Sequence, residues 1–236
     1  MKSKFLILTA AVCALALPAC DWMPGKPTEA DRWQNPAKVV DFKQLFHENC
    51  LGCHGDGKDI GAVLSLNDPL YLSITTPEQV NAIITSGRKG FPMPAFAQKN
   101  GGKLTDQQVT ALVEGIFAWG KAGGPQPEAP PYNAPLGDPT AGASAFSVSC
   151  ASCHGVDGKG VAGKAGSVVD PNYLGLVSDQ YLRTITIVGR PELGCPDFAH
   201  RVPGRVMTAT EVSDITAWLA SQRRNEFNQP LSPAAP

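Results

Sequence analysis

The chain has 236 residues, 43% of them hydrophobic and 17% charged, a composition typical of a folded globular protein and unlike a disordered or fibrous one. This length leaves room for two small domains of ordinary size. A formal net charge of −1 argues against nucleic acid binding, which calls for a basic face.

The start of the chain has the features of an export signal. A basic stretch at residues 1–4 precedes an apolar run at 5–17, and small residues come before Cys20. We therefore predict that residues 1–19 are a signal peptide and that they are absent from the mature protein.

The sequence Leu-Pro-Ala-Cys at 17–20 resembles the lipobox of bacterial lipoproteins, in which the cysteine is acylated and becomes the mature N-terminus. The resemblance implies lipidation of Cys20, a lipid-anchored tether at 20–37, and a location on the periplasmic face of a bacterial membrane. Two or three acyl chains would anchor the protein stably, because each buried methylene contributes about 0.8 kcal/mol. Ordinary signal cleavage nearby is the alternative.

The rest of the chain is organised by an internal repeat. The motif Cys-x-x-Cys-His occurs at 50–54 and again at 150–154. Further landmarks recur in the same order, and they pair Phe46 with Phe146, Asp68-Pro69 with Asp170-Pro171, Tyr71 with Tyr173, Gly87-Arg88 with Gly189-Arg190, and Phe96-Ala97 with Phe198-Ala199. We predict two equivalent modules, at residues 38–122 and 138–224.

Helix signals appear at equivalent places in both modules. Capping boxes at 105–108 and 208–211 each precede apolar residues at helical spacing, which predicts the last helix of each module. Thr76-Pro77 and Ser178 indicate the starts of middle helices, and Asp138 with Pro139 indicates the entry helix of the second module.

The segments outside the modules are rich in proline. Residues 123–137 contain too many prolines for a helix or a sheet, which predicts an extended Pro/Gly-rich linker. We also expect the tail at 225–236 to fray.

The repeated motif suits covalent haem attachment. Two thiols at this spacing can add to the two vinyl groups of one haem, and the adjacent imidazole can reach the iron. A single copy could also be a zinc half-site or a redox dithiol. Because two copies occupy equivalent places on an exported chain, we predict two covalently attached c-type haems, bound through Cys50, Cys53, Cys150 and Cys153.

Both modules resemble the small all-α cytochrome c domain. The resemblance implies an all-α fold of two tandem cytochrome c domains, with His54 and His154 as the proximal ligands of the iron. It also implies that the carbonyl groups of Pro69 and Pro171 orient the two imidazole rings. A plain turn is the alternative for these prolines.

The loop Gly-Phe-Pro-Met-Pro-Ala-Phe at 90–96 resembles the methionine loop of the same family. The resemblance implies that Met93 is the distal ligand of the first haem. A thioether is a neutral ligand that favours ferrous iron and raises the potential. The alternative is a methionine that fills a gap in the core.

The second module departs from this pattern, because Met93 aligns with Cys195. Three residues could supply the distal ligand: Met207, the only methionine of that module, Cys195 by register, and His200 by proximity. An open site is a fourth possibility. We predict Met207, with Cys195 as the alternative, although Met207 aligns with Leu104 and could simply pack against the start of the last helix.

Two further pairs of repeated residues could serve the haems. Arg88 and Arg190 could each pair with a haem propionate or lie solvated at the surface. Tyr71 and Tyr173 could donate to a propionate or pack against the haem.

These features predict a membrane-anchored periplasmic di-haem cytochrome that transfers electrons between a membrane complex and a soluble carrier or oxidase. The membrane complex would be a dehydrogenase or a quinol-oxidising complex. We predict a carrier and not an enzyme, with no catalytic residues. One alternative is a sulfur-compound dehydrogenase of the thiosulfate type with a cysteine-ligated second haem, although in that family the cysteine belongs to the N-terminal haem. Another is a fixed haem subunit of a respiratory or photosynthetic complex.

Overall fold

The structure, a computed structural model, describes Gly25, residues 28–120 and residues 128–224. The predicted signal peptide, the lipidation site at Cys20, the first part of the linker and the C-terminal tail lie outside the described residues.

The chain divides by its spatial contacts into two compact units, Met1–Val39 and Val40–Pro236. In the described part of the first unit there are two short 3-10 turns, at Glu29–Asp31 and Pro36–Lys38. The second unit contains both repeats of the motif, and the following paragraphs concern this unit alone.

In the described residues of the second unit the regular secondary structure is helical, and β-pairing is limited to isolated bridges. This confirms the predicted all-α fold. Its first module contains α1 (Phe42–Asn49), α2 (Leu51–His54), α3 (Pro69–Ile74), α4 (Pro77–Ser86) and α5 (Asp106–Gly120). Its second module contains α6 (Pro139–Ser149), α7 (Ala151–His154), α8 (Pro171–Leu176), α9 (Asp179–Val188) and α10 (Ala209–Ser221).

Both predicted capping boxes are present. Before α5, the Gln108 side chain accepts from Thr105 N at 3.0 Å, and Thr105 Oγ1 accepts from Gln108 N at 3.2 Å. Before α10, Glu211 Oε2 accepts from Thr208 N at 2.8 Å, and Thr208 Oγ1 accepts from Glu211 N at 3.2 Å. Each side chain satisfies a backbone N–H that has no partner within the helix, and such a cap contributes about 1 kcal/mol.

The other predicted helix starts are also confirmed. Thr76 caps α4, Ser178 caps α9, and Asp138 caps α6 with Pro139 at the first helical position. These signals act through neighbours two or three residues away, which explains why the sequence reveals them.

An aromatic pair joins the entry helix to the last helix in each module. The rings of Phe46 and Trp119 meet edge to face, with centroids 5.3 Å apart, and those of Phe146 and Trp218 lie 4.3 Å apart. Buried Phe46 and Phe146 both come from the turn of helix that leads into the motif. The packing of these helices therefore sets where each motif lies.

The end of the linker is tied to both modules. Buried Arg183 in α9 donates to the carbonyl oxygens of Pro131 and Tyr132, at 2.8 and 3.1 Å, and Gln180 donates to Tyr132 O at 2.8 Å. The Tyr132 hydroxyl accepts from Arg88 Nη2 at 2.9 Å. Arg88 thus connects the first module to the chain that enters the second.

Across the described ranges, every helix is either too short or too polar to traverse a lipid bilayer.

Candidate haem sites

The first motif lies on a tight helical turn. Cys50 ends α1, and its carbonyl oxygen accepts from Cys53 N at 3.2 Å and from His54 N at 3.0 Å. Gly55 follows with a φ of +67°, a conformation that favours glycine and turns the chain away. The two thiols are therefore one turn apart on the same side of the helix, with the imidazole beside them.

The second motif has the same geometry. The Cys150 carbonyl oxygen accepts from Cys153 N at 3.2 Å and from His154 N at 3.0 Å, and Gly155 has a φ of +76°. The five described cysteines, including Cys195, are all free of disulfides. Four thiols therefore stand in two equivalent pairs.

A backbone carbonyl orients each histidine ring. Nδ1 of His54 lies 2.7 Å from the carbonyl oxygen of Leu64, and Nδ1 of His154 lies 2.9 Å from that of Gly166. Since a carbonyl oxygen only accepts, Nδ1 carries the proton in both rings. This tautomer leaves the lone pair on Nε2, which is the nitrogen available to iron.

The prediction that Pro69 and Pro171 orient these rings is wrong. They occupy the first positions of α3 and α8, where Asp68 and Asp170 cap the helices. A residue at that position directs its carbonyl group along the helix axis and not toward a neighbouring loop. The orienting carbonyl comes earlier in the chain in both modules.

Burial lowers the pKa of His54, and nearby Arg190 lowers it further, although the hydrogen bond to Leu64 acts in the opposite direction. The net effect favours the neutral imidazole, which is the form that binds a metal.

The methionine loop of the first module folds back over the end of α4. Arg88 N donates to Met93 O at 2.9 Å, and Met93 is partly buried against the core. Gly87 has a φ of +64°, and a Cβ placed on it would lie 2.7 Å from Met93 O. The loop can pass this close only because residue 87 has no side chain.

Cys195 occupies the corresponding place in the second module. Arg190 N donates to Cys195 O at 2.8 Å, and a Cβ on Gly189 would lie 2.5 Å from that same oxygen. Gly189 has a φ of +72°. Cys195 therefore occupies the same position on its loop as Met93 does on the loop of the first module.

The Cys195 side chain meets His154 and Arg201. Arg201 Nη1 donates to Cys195 Sγ at 3.4 Å, and the thiol also interacts with the imidazole of His154. Burial raises the pKa of the Cys195 thiol, but the interactions with His154 and Arg201 outweigh burial and lower it to about 7. The contact with Cys195 likewise raises the pKa of His154.

Met207 lies in the core, with 2% of its surface exposed, and its N–H donates to Phe198 O at 3.1 Å. Leu104 has the same place in the first module, with 4% exposed and its N–H bonded to Phe96 O at 2.8 Å. The geometry agrees with a packing role for Met207. Its assignment as an iron ligand stays a prediction.

The remaining candidates have other partners. The side chain of His200 is 71% exposed, and its Nδ1 lies 2.7 Å from Asp197 Oδ1. Tyr71 is buried within the core, and burial raises its pKa and that of Tyr173. Arg190 pairs with Glu192 and also donates to the carbonyl oxygen of Gly61 in the first module.

These residues fit a c-type haem in each module. Each motif supplies two thiols one turn apart and an imidazole whose Nδ1 bonds a backbone carbonyl, which leaves the Nε2 lone pair to bind a metal. In the second module, Nε of Arg201 is buried and has no hydrogen-bond partner among the described residues, although a buried donor ordinarily has one. Sequence reasoning missed Arg201, because no local motif contains it, and it also missed the orienting carbonyl groups of Leu64 and Gly166.

Two family descriptions match the two modules separately. "Cytochrome C oxidase, cbb3-type, subunit III" matches residues 37–114, and "Cytochrome c" matches residues 139–223. The cbb3-type cytochrome c oxidase subunit CcoP of Rubrivivax gelatinosus is 30% identical to this chain over 129 residues. That match covers 54% of this chain and 38% of the relative, so the chain spans well under half of the relative's length.

Among solved structures, the Kuenenia stuttgartiensis reducing HAO-like protein complex Kustc0457/Kustc0458 is similar at 19% identity, over 81% of this chain and 100% of that one. The TM-score is 0.46, which is too low to support a conclusion.

The two family matches confirm the predicted tandem domains and the predicted pair of covalent haems. The chain therefore contains two cytochrome c-type domains in tandem, which is the arrangement of a di-haem c-type cytochrome.

Proposed function

We propose that this cytochrome is anchored to the periplasmic face of a bacterial membrane through a lipid on Cys20. There it passes electrons from a membrane dehydrogenase or quinol-oxidising complex to a soluble carrier or an oxidase. The observation that carries the proposal is the pair of equivalent sites in one compact unit, each with an imidazole held by a backbone carbonyl. When bound, each haem iron supplies reversible uptake of one electron.

The chain's own residues hold the ligands in place. The Leu64 and Gly166 carbonyls keep the His54 and His154 rings in one tautomer and one orientation. A ligand that does not rearrange between oxidation states keeps the cost of electron transfer low. This rigidity suits a carrier, which meets its partners in small and short-lived encounters.

The relative in Rubrivivax gelatinosus is named as a subunit of a cbb3-type oxidase. This similarity supports a terminal oxidase as one partner of the present chain. It equally supports the alternative in which the chain is a fixed subunit of a respiratory complex. Co-purification with an oxidase after gentle solubilisation would favour the fixed subunit, and recovery as a free protein would favour the shuttle.

The electron-transfer role can be tested with the purified full-length holoprotein. We expect rapid reduction by membranes that contain a quinol-oxidising complex and quinol, followed by reoxidation by membranes that contain a terminal oxidase. Steady turnover of a small molecule without a partner protein would contradict the proposal. Thiosulfate with ferricyanide as electron acceptor is the first such assay to run, because Cys195 stands beside the second haem site.

The lipid anchor can be tested in a bacterial host by metabolic labelling with a fatty acid. We expect label on the wild type and none on Cys20→Ser, which should move to the soluble periplasmic fraction. Cys13→Ser is a matched control, because Cys13 lies in the predicted leader and its replacement should leave labelling unchanged. An unlabelled wild type would indicate ordinary signal cleavage.

A further inference from the structure

The two modules present different atoms at the same point of the same loop. The carbonyl oxygen of Met93 accepts from Arg88 N and lies close to Gly87. In the same way, the carbonyl oxygen of Cys195 accepts from Arg190 N and lies close to Gly189. Phe198 N then donates to Ile187 O at 2.8 Å, as Phe96 N donates to its own helix in the first module. The two modules therefore share the path of this loop, and the second has a cysteine side chain where the first has a methionine.

A cation accompanies this change. Arg201 reaches Cys195 Sγ through Nη1 at 3.4 Å, and its Nη2 is held by the carbonyl oxygens of Ile185 and Thr186 at 3.0 and 3.2 Å. These carbonyls lie near the C-terminal end of α9, so the guanidinium is fixed beside the sulfur. In the first module, Lys99 of the corresponding stretch pairs with Asp106 at 3.0 Å instead.

The pairing has a chemical reason. A thioether is neutral and needs no counter-ion, whereas a thiolate is an anion that a nearby guanidinium stabilises. Each module thus has the environment that its own sulfur requires. The competing ligand, Met207, lies in the core at the place of Leu104.

We propose that the thiolate of Cys195 is the distal ligand of the second haem iron, and that Arg201 is a positioning residue that pairs with this sulfur. On ligation the thiol releases its proton to solvent, a sulfur lone pair forms the bond to iron, and no electron is transferred. This ligand assignment adds detail to the proposed function. Only the consequence of the ligand for electron flow rests on that function.

That consequence is a difference in potential between the two haems. A thiolate donates electron density and stabilises ferric iron, whereas the neutral Met93 thioether favours ferrous iron. The second haem is therefore the low-potential site. At mild potentials an electron would then reside on the haem held by His54 and Met93, and the haem held by His154 and Cys195 would stay oxidised.

Low-temperature EPR of the full-length oxidised holoprotein tests the ligand. We expect two low-spin signals in the wild type, one of them with the narrow spread of g values typical of thiolate ligation. That narrow signal should disappear in Cys195→Met and in Cys195→Ala, and it should persist in the matched control Met207→Leu. A wild type without it, or its loss in Met207→Leu alone, would overturn the assignment.

Redox titration of the same variants provides a second readout. The potential of the second haem should rise in Cys195→Met and stay unchanged in Met207→Leu. Equal potentials for the two haems in the wild type would count against thiolate ligation. Neither measurement involves a partner protein, so a failure here is distinguishable from a failure of the proposed function.

A double-mutant cycle tests Arg201. Replacing Arg201 with Gln removes a positive charge beside the thiolate, so the potential of the second haem should fall, and Arg201→Lys should restore much of the loss. In the Cys195→Met background the same replacement should have a clearly smaller effect. Equal shifts in both backgrounds would show that Arg201 does not act through the sulfur and would overturn its assigned role.

Discussion

Arg190 Nη2 donates a hydrogen bond to the carbonyl oxygen of Gly61 at 2.8 Å, and this bond joins the two cytochrome c domains. The backbone of Arg190 is paired with Cys195 through two hydrogen bonds, at 2.8 and 3.0 Å. Gly61 in turn lies on the loop that leads to Leu64, whose carbonyl orients His54. One arginine therefore connects the distal loop of the second haem site to the proximal loop of the first.

The loop that contains Gly61 is packed closely against the first motif. A Cβ on Gly61 would lie 2.3 Å from Cys53 O and 2.4 Å from the carbonyl carbon of His54. The side chain of Arg190 is only 10% exposed, and Glu192 pairs with it. The contact is thus a largely buried charge-assisted bond against the backbone next to the first motif.

The first prediction concerns Arg190→Ala. Loss of a charge-assisted hydrogen bond at a buried site should lower the free energy of unfolding by about 2 kcal/mol. It should also shift the potential of the first haem, which lies in the other domain, while both haems stay attached. Thermal unfolding and redox titration measure the two effects.

Arg32→Ala is the control for this change, because Arg32 pairs with Glu29 at 2.8 Å but both side chains are well exposed. Exposed ion pairs contribute little, so neither readout should change. A first-haem potential that is the same in Arg190→Ala and in the wild type would show that the contact does not influence the first site.

The second prediction concerns the distal ligand of the first haem. Met93→Leu removes the thioether but keeps an apolar side chain on the loop, so the first iron should lose one protein ligand. We expect a high-spin contribution in the oxidised absorption spectrum and carbon monoxide binding in the reduced state. Met207→Leu is the control, and we expect it to retain the spectrum of the wild type; an unchanged spectrum in Met93→Leu would rule out Met93 as the ligand.

The third prediction concerns a close helix crossing in the second domain. A Cβ on Gly142 in α6 would lie 2.0 Å from the carbonyl oxygen of Asp214 in α10. Because backbone must then move, Gly142→Ala should lower the free energy of unfolding by about 2 kcal/mol. Gly175→Ala is the matched control, since a Cβ there meets nothing within 4 Å. Chemical denaturation should separate the two variants, and equal stabilities would contradict the crossing.

The fourth prediction is a pH dependence from Glu211, the acidic member of the second capping box. Partial burial raises the pKa of this carboxyl, but hydrogen bonds from Thr208 and Arg205 outweigh burial and lower it below the ordinary value of 4.5. A lowered pKa in the folded state stabilises the fold above the unfolded pKa, and this stability is lost as the pH falls through the folded value.

Glu211→Gln should therefore destabilise the protein at neutral pH, and the difference from the wild type should shrink as the pH falls below 4.5. Thermal unfolding over a series of pH values measures this difference. A difference that is constant with pH would mean that the charge on Glu211 contributes nothing and that only its shape as a cap matters.

The sequence by itself determined the features that depend on near neighbours. The two Cys-x-x-Cys-His motifs, the capping boxes before α5 and α10, and the caps at Asp138 and Ser178 all act over a few residues, so their spacing was sufficient. The internal repeat also put Cys195 in register with Met93. It could not decide between Cys195 and Met207, because register says nothing of which sulfur faces a histidine.

Only the tertiary structure decided which backbone and side chains meet at each site. The structure shows that the carbonyl groups of Leu64 and Gly166 orient the histidine rings, and not those of Pro69 and Pro171. It also brought Arg190 to Gly61, although the two are far apart in the sequence. These contacts depend on the paths of loops and on the packing of one domain against the other, which local spacing does not encode.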